Sequence, residues 1–301
     1  MRAYLFAAIT LATSLAHAQM TPSRLIDAAR AAPDLKFPEA PAVAFPSAPE
    51  MAIYKPSGPG PFPAVVLVHQ CHGLRLSARN WQNMSMLTWA KEAVAKGFVV
   101  LVLDSLGPRG VDMVCDGAKG GVNLPRGTLD ALQAADHLRK FDFVDSDRVS
   151  LIGLSWGGIV GLLATSKMWA DTLSPGRRLA AVVALYPKCS PATPSSGAPY
   201  NVVNLDIDRP IAVLLGEKDI DQPASECVSR LEPLKASGAP VEWAIFPQAT
   251  HCWDCESLDG FKARTPRGES VVHYDRDTTR KSMDQAFEYL SRARSAKASG
   301  S

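Results

Sequence analysis

The run Gly153-Leu154-Ser155-Trp156-Gly157 is the stretch of this chain best suited to covalent chemistry. An apolar stretch at 149–153 leads into the serine and a helical pattern at 159–168 follows it. A tight strand-to-helix turn presses the positions two before and two after its serine against neighbouring backbone. Both positions must therefore be small, and Gly153 and Gly157 meet that need. Such a turn lifts the Ser155 hydroxyl above the sheet and aims the first N–H groups of the helix at developing negative charge. A bare Gly-x-Ser-x-Gly string also recurs by chance in glycine-rich loops; the flanking strand and helix separate this one from those.

A serine hydroxyl alone is a weak nucleophile. It needs a histidine to take its proton and a carboxylate to hold that histidine in the right tautomer. Around such a turn the chain order is serine, then acid, then histidine. The apolar run 211–215 ends in Gly216-Glu217-Lys218-Asp219, which puts Asp219 on a strand-end loop, with Glu217 and Asp221 as competitors. The run 241–246 is followed by Pro247-Gln248-Ala249-Thr250-His251, so His251 is the candidate base. His273 is the alternative but lies in the polar stretch 269–280, and His137 falls within a helical pattern and reads as structural.

The strand-like run 64–68 leads into His69-Gln70-Cys71-His72-Gly73. In this arrangement the loop after that strand gives one backbone N–H to an oxyanion and the residue after the nucleophile gives the other, here Cys71 and Trp156. His69 and His72 beside Cys71 raise the question of a metal. Their spacing is not that of a helical ligand pair and no further cluster completes a four-ligand set, so they are read as shaping the loop, with no metal or cofactor expected. Trp156 and Trp253 adjoin the candidate catalytic residues and are pocket candidates; Trp81 and Trp89 read as amphipathic core positions.

Elements must hold these residues together. Short apolar runs at 51–54, 64–68, 98–103, 149–153, 180–185, 211–215 and 241–246 read as strands, several of them continuous rather than alternating, as strands buried on both faces are. Helical patterns lie between or after them at 81–95, 124–141, 159–168, 224–237 and 278–292. The alternation predicts an α/β class: a mostly parallel central sheet flanked by helices, a three-layer sandwich with its site beyond the carboxyl ends of the strands. One domain is expected at 51–295, preceded by an extended, Ala- and Pro-rich arm at 19–50 and followed by a flexible tail at 296–301.

The chain has 301 residues, 47% hydrophobic and 21% charged, so neither a disordered nor a fibrous class is favoured. Arg2, an apolar run at 3–15 and Ala16-His17-Ala18 form the pattern of a secretory signal peptide at 1–18, against the alternative of an uncleaved anchor. That run is shorter than the roughly 20 residues that cross a bilayer, and no other segment reads as a span. Export to the periplasm or beyond the cell is the expected fate. The net charge of +2 carries no concentrated basic face, so nucleic acid is not an expected partner, and the oligomeric state is not legible.

The 6 cysteines, an even number in an exported chain, predict disulfides. Cys252 and Cys255 are close enough for a local bridge. Cys71 with Cys115 and Cys189 with Cys227 would each tie loops leaving neighbouring strands at one end of the sheet. A Cys-x-x-Cys metal site is the rival reading, but it lacks a second ligand pair.

Taken together, 65–73, Leu103-Asp104-Ser105-Leu106-Gly107-Pro108-Arg109-Gly110, the turn at Ser155, Gly216-Glu217-Lys218-Asp219 and His251 resemble the dienelactone hydrolase family of the α/β-hydrolase superfamily, over roughly residues 50–295. The resemblance implies a compact hydrolase of small esters or lactones, without a separate cap or a cofactor, with Ser155, Asp219 and His251 as its catalytic triad. Two positions depart from the family pattern: Ser155 stands where the founding members carry a cysteine, and Gln70 lies where they carry a glutamate. A serine form looks more like a general carboxylesterase of that family. Gln70 and Trp253 are substrate-binding candidates. Arg109, in the loop after the strand 98–103, is a third, which would grip a substrate carboxylate or else form a structural ion pair. A serine peptidase or acyl transferase would use the same triad. A non-catalytic binding protein on a hydrolase scaffold is the rival from another class.

Overall fold

The computed structural model of the chain describes residues 23–76, 80–194 and 198–298, with side chains described up to residue 292. The expected signal peptide at 1–18 lies outside them. In chain order the elements are α1 (Ser23–Ala31), β1 (Ala52–Tyr54), β2 (Phe62–Val68), the short pair β3 (Arg75–Leu76) and β4 (Trp81–Gln82), α2 (Met84–Ala95) and β5 (Val99–Leu103). There follow α3 (Leu124–Leu138), β6 (Val144–Leu154), α4 (Trp156–Thr165), α5 (Lys167–Leu173), β7 (Val182–Leu185) and β8 (Ile211–Gly216). The chain ends with α6 (Ala224–Ala236), β9 (Val241–Phe246), the hairpin β10 (Lys262–Thr265) and β11 (Gly268–Val271), and α7 (Arg276–Ala298).

The central sheet has 7 strands in the order β1-β5-β2-β6-β7-β8-β9. Only β1 runs antiparallel to its neighbour; the pairs from β5 to β9 are parallel. β5, β7 and β8 are buried along their whole length, which is why they read as unbroken Val/Ile/Leu/Ala runs. In β2 the pleat sends Val66 and Val68 to the layer containing α1, α3, α4, α5 and α6, and Val65 and Leu67 to the layer containing α2 and α7. The predicted three-layer α/β architecture is the one observed.

Two expectations at the ends need correction. The arm at 19–50 is not extended throughout, because residues 23–31 form α1. Ile26, Ala29 and Ala32 lie three apart and are buried against the α3 layer, a stripe too short and too alanine-rich to stand out in the sequence. What secures the helix is remote: the Arg126 guanidinium donates to the carbonyls of Ala29 (3.1 Å) and Ala32 (3.0 Å). Those are the orphan acceptors at a helix carboxyl end, where a cation also suits the dipole. The flexible tail expected at 296–301 begins too early, since α7 runs on to Ala298; residues 299–301 lie outside the described residues.

Candidate active site

Ser155 sits between β6 and α4 with φ 52° and ψ −108°, a strained conformation for a residue with a Cβ. The neighbours show why the turn demands glycine. A Cβ on Gly153 would lie 2.0 Å from the Gly157 carbonyl oxygen, and one on Gly157 would lie 2.4 Å from that of Val68. The Ser155 N–H donates to the Leu185 carbonyl (2.9 Å) and the Gly157 N–H to that of His69 (3.1 Å), which ties the turn to β7 and to the loop after β2.

His251 Nε2 lies 3.0 Å from Ser155 Oγ, and its Nδ1 lies 2.7 Å from Asp219 Oδ2. The other Asp219 oxygen accepts the backbone N–H groups of Asp221 (2.9 Å) and Gln222 (2.7 Å), so the carboxylate is fixed from both sides. Burial disfavours the charged imidazolium of His251. The charge and hydrogen bond of Asp219 outweigh it, with Asp221 and Asp254 adding to them, and the pKa ends above its ordinary value. Of the competitors, Asp221 contributes its amide to Asp219, Glu217 is exposed, and His273 is on the surface, its side chain 65% exposed, 3.9 Å from Asp259.

The loop after β2 is built from His69 outward. Buried His69 stacks on Trp156 and accepts the Ser105 N–H at Nε2 (3.2 Å), while its Nδ1 faces the Gln70 carbonyl (2.6 Å); burial lowers its pKa, so it stays neutral. Trp156 is the first residue of α4, so its N–H has no acceptor within the helix. His137 donates to or accepts from no part of the site: its Nε2 lies 2.8 Å from the Pro38 carbonyl.

Disulfides join Cys71 to Cys115, Cys189 to Cys227, and Cys252 to Cys255. The first fixes the loop carrying the Cys71 amide, and the third frames the segment just after His251. Cys71, His72 and Cys115, and likewise Cys252, Asp254 and Cys255, bring potential ligand atoms together, but in each set the two sulfurs are bonded to one another and offer no thiolate.

Two of the substrate-binding candidates lie away from the site. Arg109 forms a two-pronged pair with Asp130 (2.8 and 2.9 Å) and donates to the carbonyls of Ser105 (2.8 Å) and Pro33 (2.6 and 3.0 Å). Its side chain is 4% exposed, with its donors turned toward Asp130 and the segment after α1, not toward the nucleophile. Trp253 is fully buried and its indole N–H donates to Ser282 Oγ (3.1 Å), because Cys252, at φ 57°, turns the chain and sends the next side chain into the core against α7. Gln70 does border the catalytic cavity, which has a volume of about 450 Å³. Its amide oxygen accepts from Asn83 (2.6 Å) and its nitrogen donates to Ser85 and Tyr186 (both 3.3 Å).

Sequence reasoning missed Tyr186 and Asp254. Tyr186 follows β7 at its carboxyl end with φ 38°, meets His251 edge-on at 4.9 Å, and donates its hydroxyl to Asp254 (2.6 Å). Asp254 also accepts the Trp89 indole N–H (2.8 Å), and burial raises its carboxyl pKa. The position of Tyr186 just past a parallel strand was the available signal. Trp81, read as core, borders the cavity instead, as do Phe261 and Ala263 before and within the β10–β11 hairpin.

The description "Dienelactone hydrolase family" belongs to the family model that matches residues 50–293. A protein of Yersinia pestis provisionally named carboxymethylenebutenolidase is 23% identical over 216 residues, 68% of this chain and 74% of the relative. Esterase 2 of Thermogutta terrifontis, solved phosphonylated by cyclosarin, superposes with a TM-score of 0.59 at 17% identity, covering 80% of this chain and 88% of that one. A dienelactone hydrolase-like promiscuous phosphotriesterase from metagenomic libraries gives a TM-score of 0.56 at 19% identity over 78% and 87% of the two chains.

Proposed function

The chain belongs to the dienelactone hydrolase family, and we propose that within it this protein is a carboxylic ester hydrolase that works through an acyl-enzyme on Ser155. The observation that carries the reading is the hydrogen-bonded line Ser155 Oγ, His251, Asp219, at 3.0 and 2.7 Å. With Asp219 accepting the hydrogen bond from Nδ1–H, His251 presents a bare Nε2 to the serine hydroxyl. Ser155 Oγ attacks the ester carbonyl as its proton passes to Nε2; the amides of Cys71 and Trp156 hold the resulting oxyanion. The imidazolium then hands that proton to the departing alcohol, and water, activated by the same histidine, releases the acid.

A cavity of about 450 Å³ suits a small-molecule ester or lactone. Among the described residues no helix is long and apolar enough to cross a membrane. The three disulfides support a protein that matures in an oxidising compartment, so we take export as part of the same proposal. The test is hydrolysis of para-nitrophenyl acetate by the purified protein beside Ser155→Ala. The proposal expects turnover that the substitution abolishes; turnover that survives in Ser155→Ala would overturn it.

A further inference from the structure

A second cavity, of about 580 Å³, adjoins the catalytic one. Both are lined by Trp156, Ile159, Lys188 and residues 114–116, so the two cavities meet along that stretch of wall. One wall of the second is α1, through Leu25 and Ala28, and Tyr200 and Val202 also line it. Its charged side chains, Arg24, Asp116 and Lys188, are exposed and stand at the rim. The volume is within the range of roughly 300–1,000 Å³ that holds a small organic molecule.

The α1 wall does not come from the family domain. α1 precedes the matched span 50–293 and is held in place from inside that span, by Arg126 on the Ala29 and Ala32 carbonyls and Arg109 on that of Pro33. Two buried arginines sharing Asp130 make this a built attachment, not a loose arm.

The reaction itself says which half of an ester would enter. His251 protonates the leaving alcohol, so that alcohol lies on the His251 side, in the cavity that also holds Asp221 and Gln222 from the acid's loop. The acyl group leaves the carbonyl carbon on the side away from that alcohol, and the second cavity meets the first at Trp156, the residue after the nucleophile. Trp156 lines both cavities, and neither Ser155 nor His251 lines the second. We infer that the cavity walled by α1 is an acyl pocket for esters of bulky, largely apolar carboxylic acids, aromatic or branched. This rests on the ester-hydrolase reading above.

Two para-nitrophenyl esters, the acetate and the naphthoate, share a leaving group and differ only in the acid. Ala28→Trp fills the cavity from an exposed position on α1, and thermal melting checks that the fold is kept. The inference expects the naphthoate-to-acetate ratio of kcat/KM to fall by about tenfold or more, the range in which filling or emptying a hydrophobic pocket changes discrimination. Leu25→Ala enlarges the same wall and should raise the ratio, which keeps the test valid if the tryptophan disturbs α1. A ratio unchanged by both substitutions, with turnover intact, overturns the acyl pocket alone. No turnover of either ester by the wild type would instead overturn the ester-hydrolase reading, and the pocket with it.

Discussion

Asp219→Asn changes one heavy atom of the proposed triad and reverses the hydrogen bond between this residue and His251. In the native site one carboxylate oxygen accepts the N–H groups of Asp221 and Gln222, and the other accepts from His251 Nδ1 at 2.7 Å. The two backbone donors will hold the asparagine oxygen where the first of these lies. That leaves the amide NH2 facing Nδ1. Two donors cannot share a hydrogen bond, so the imidazole proton moves to Nε2 and Nδ1 becomes the acceptor. Nε2–H then points at Ser155 Oγ, 3.0 Å away, and cannot take its proton. A wrong tautomer in a serine triad costs about 10⁴ in kcat, or about 5.5 kcal/mol at roughly 1.36 kcal/mol per tenfold. The pH profile gives a second reading. His251 must be neutral to act, so activity is lost as pH falls through its pKa, which lies above the ordinary 6.5 because the counter-charge of Asp219 outweighs burial. The acid limb of kcat/KM should therefore be centred above 6.5 in the wild type and move downward in the variant, where burial acts without the carboxylate. The assay is para-nitrophenyl acetate hydrolysis between about pH 5 and about pH 8. A kcat within about tenfold of wild type with an unmoved acid limb would refute the reasoning.

Gly157→Ala places a Cβ 2.4 Å from the Val68 carbonyl oxygen and 2.8 Å from that of His69, so the loop bearing the Cys71 amide must shift; kcat on the aryl acetate should fall by about a hundredfold, as misplacement by about 1 Å does. Arg109→Ala removes one of the two arginines on buried Asp130, which keeps Arg126, and should lower unfolding stability by about 1.5–3 kcal/mol in urea titrations, with KM for the acetate unmoved because the side chain faces Asp130 rather than the cavity. Replacing Cys71 and Cys115 together by serine opens a bridge spanning 44 residues, and chain-entropy arithmetic puts the loss near 4 kcal/mol, read from the same titrations.

Each of the seven strands of the sheet can be read as an apolar run, most plainly β5, β7 and β8, which are buried on both faces. The nucleophile turn is equally legible, since its glycines answer contacts with backbone a few residues away in space that any such turn must make. What the sequence conceals is decided by remote partners. The carboxyl end of α1 is capped by Arg126, nearly a hundred positions on, and Arg109 likewise faces the remote Asp130 and Pro33. Trp253 looked like a pocket residue from its place beside His251, but the left-handed turn at Cys252 reverses its direction. The hairpin β10–β11 is mostly polar or charged, and only its closeness to the site gives Ala263 and Ser270 a place on the cavity wall. Tyr186 and Asp254 belong to a buried polar network whose members are far apart in the chain, which no local pattern announces.

The central claim is that Ser155 carries the covalent intermediate, and mass spectrometry after treatment with paraoxon tests it most directly. Esterase 2 of Thermogutta terrifontis is phosphorylated by that reagent. The account predicts a single diethylphosphoryl adduct on the peptide containing Ser155, loss of ester turnover in step with labelling, and no adduct in Ser155→Ala. An adduct on another residue, or an unlabelled wild-type protein that still hydrolyses the aryl ester, would contradict it.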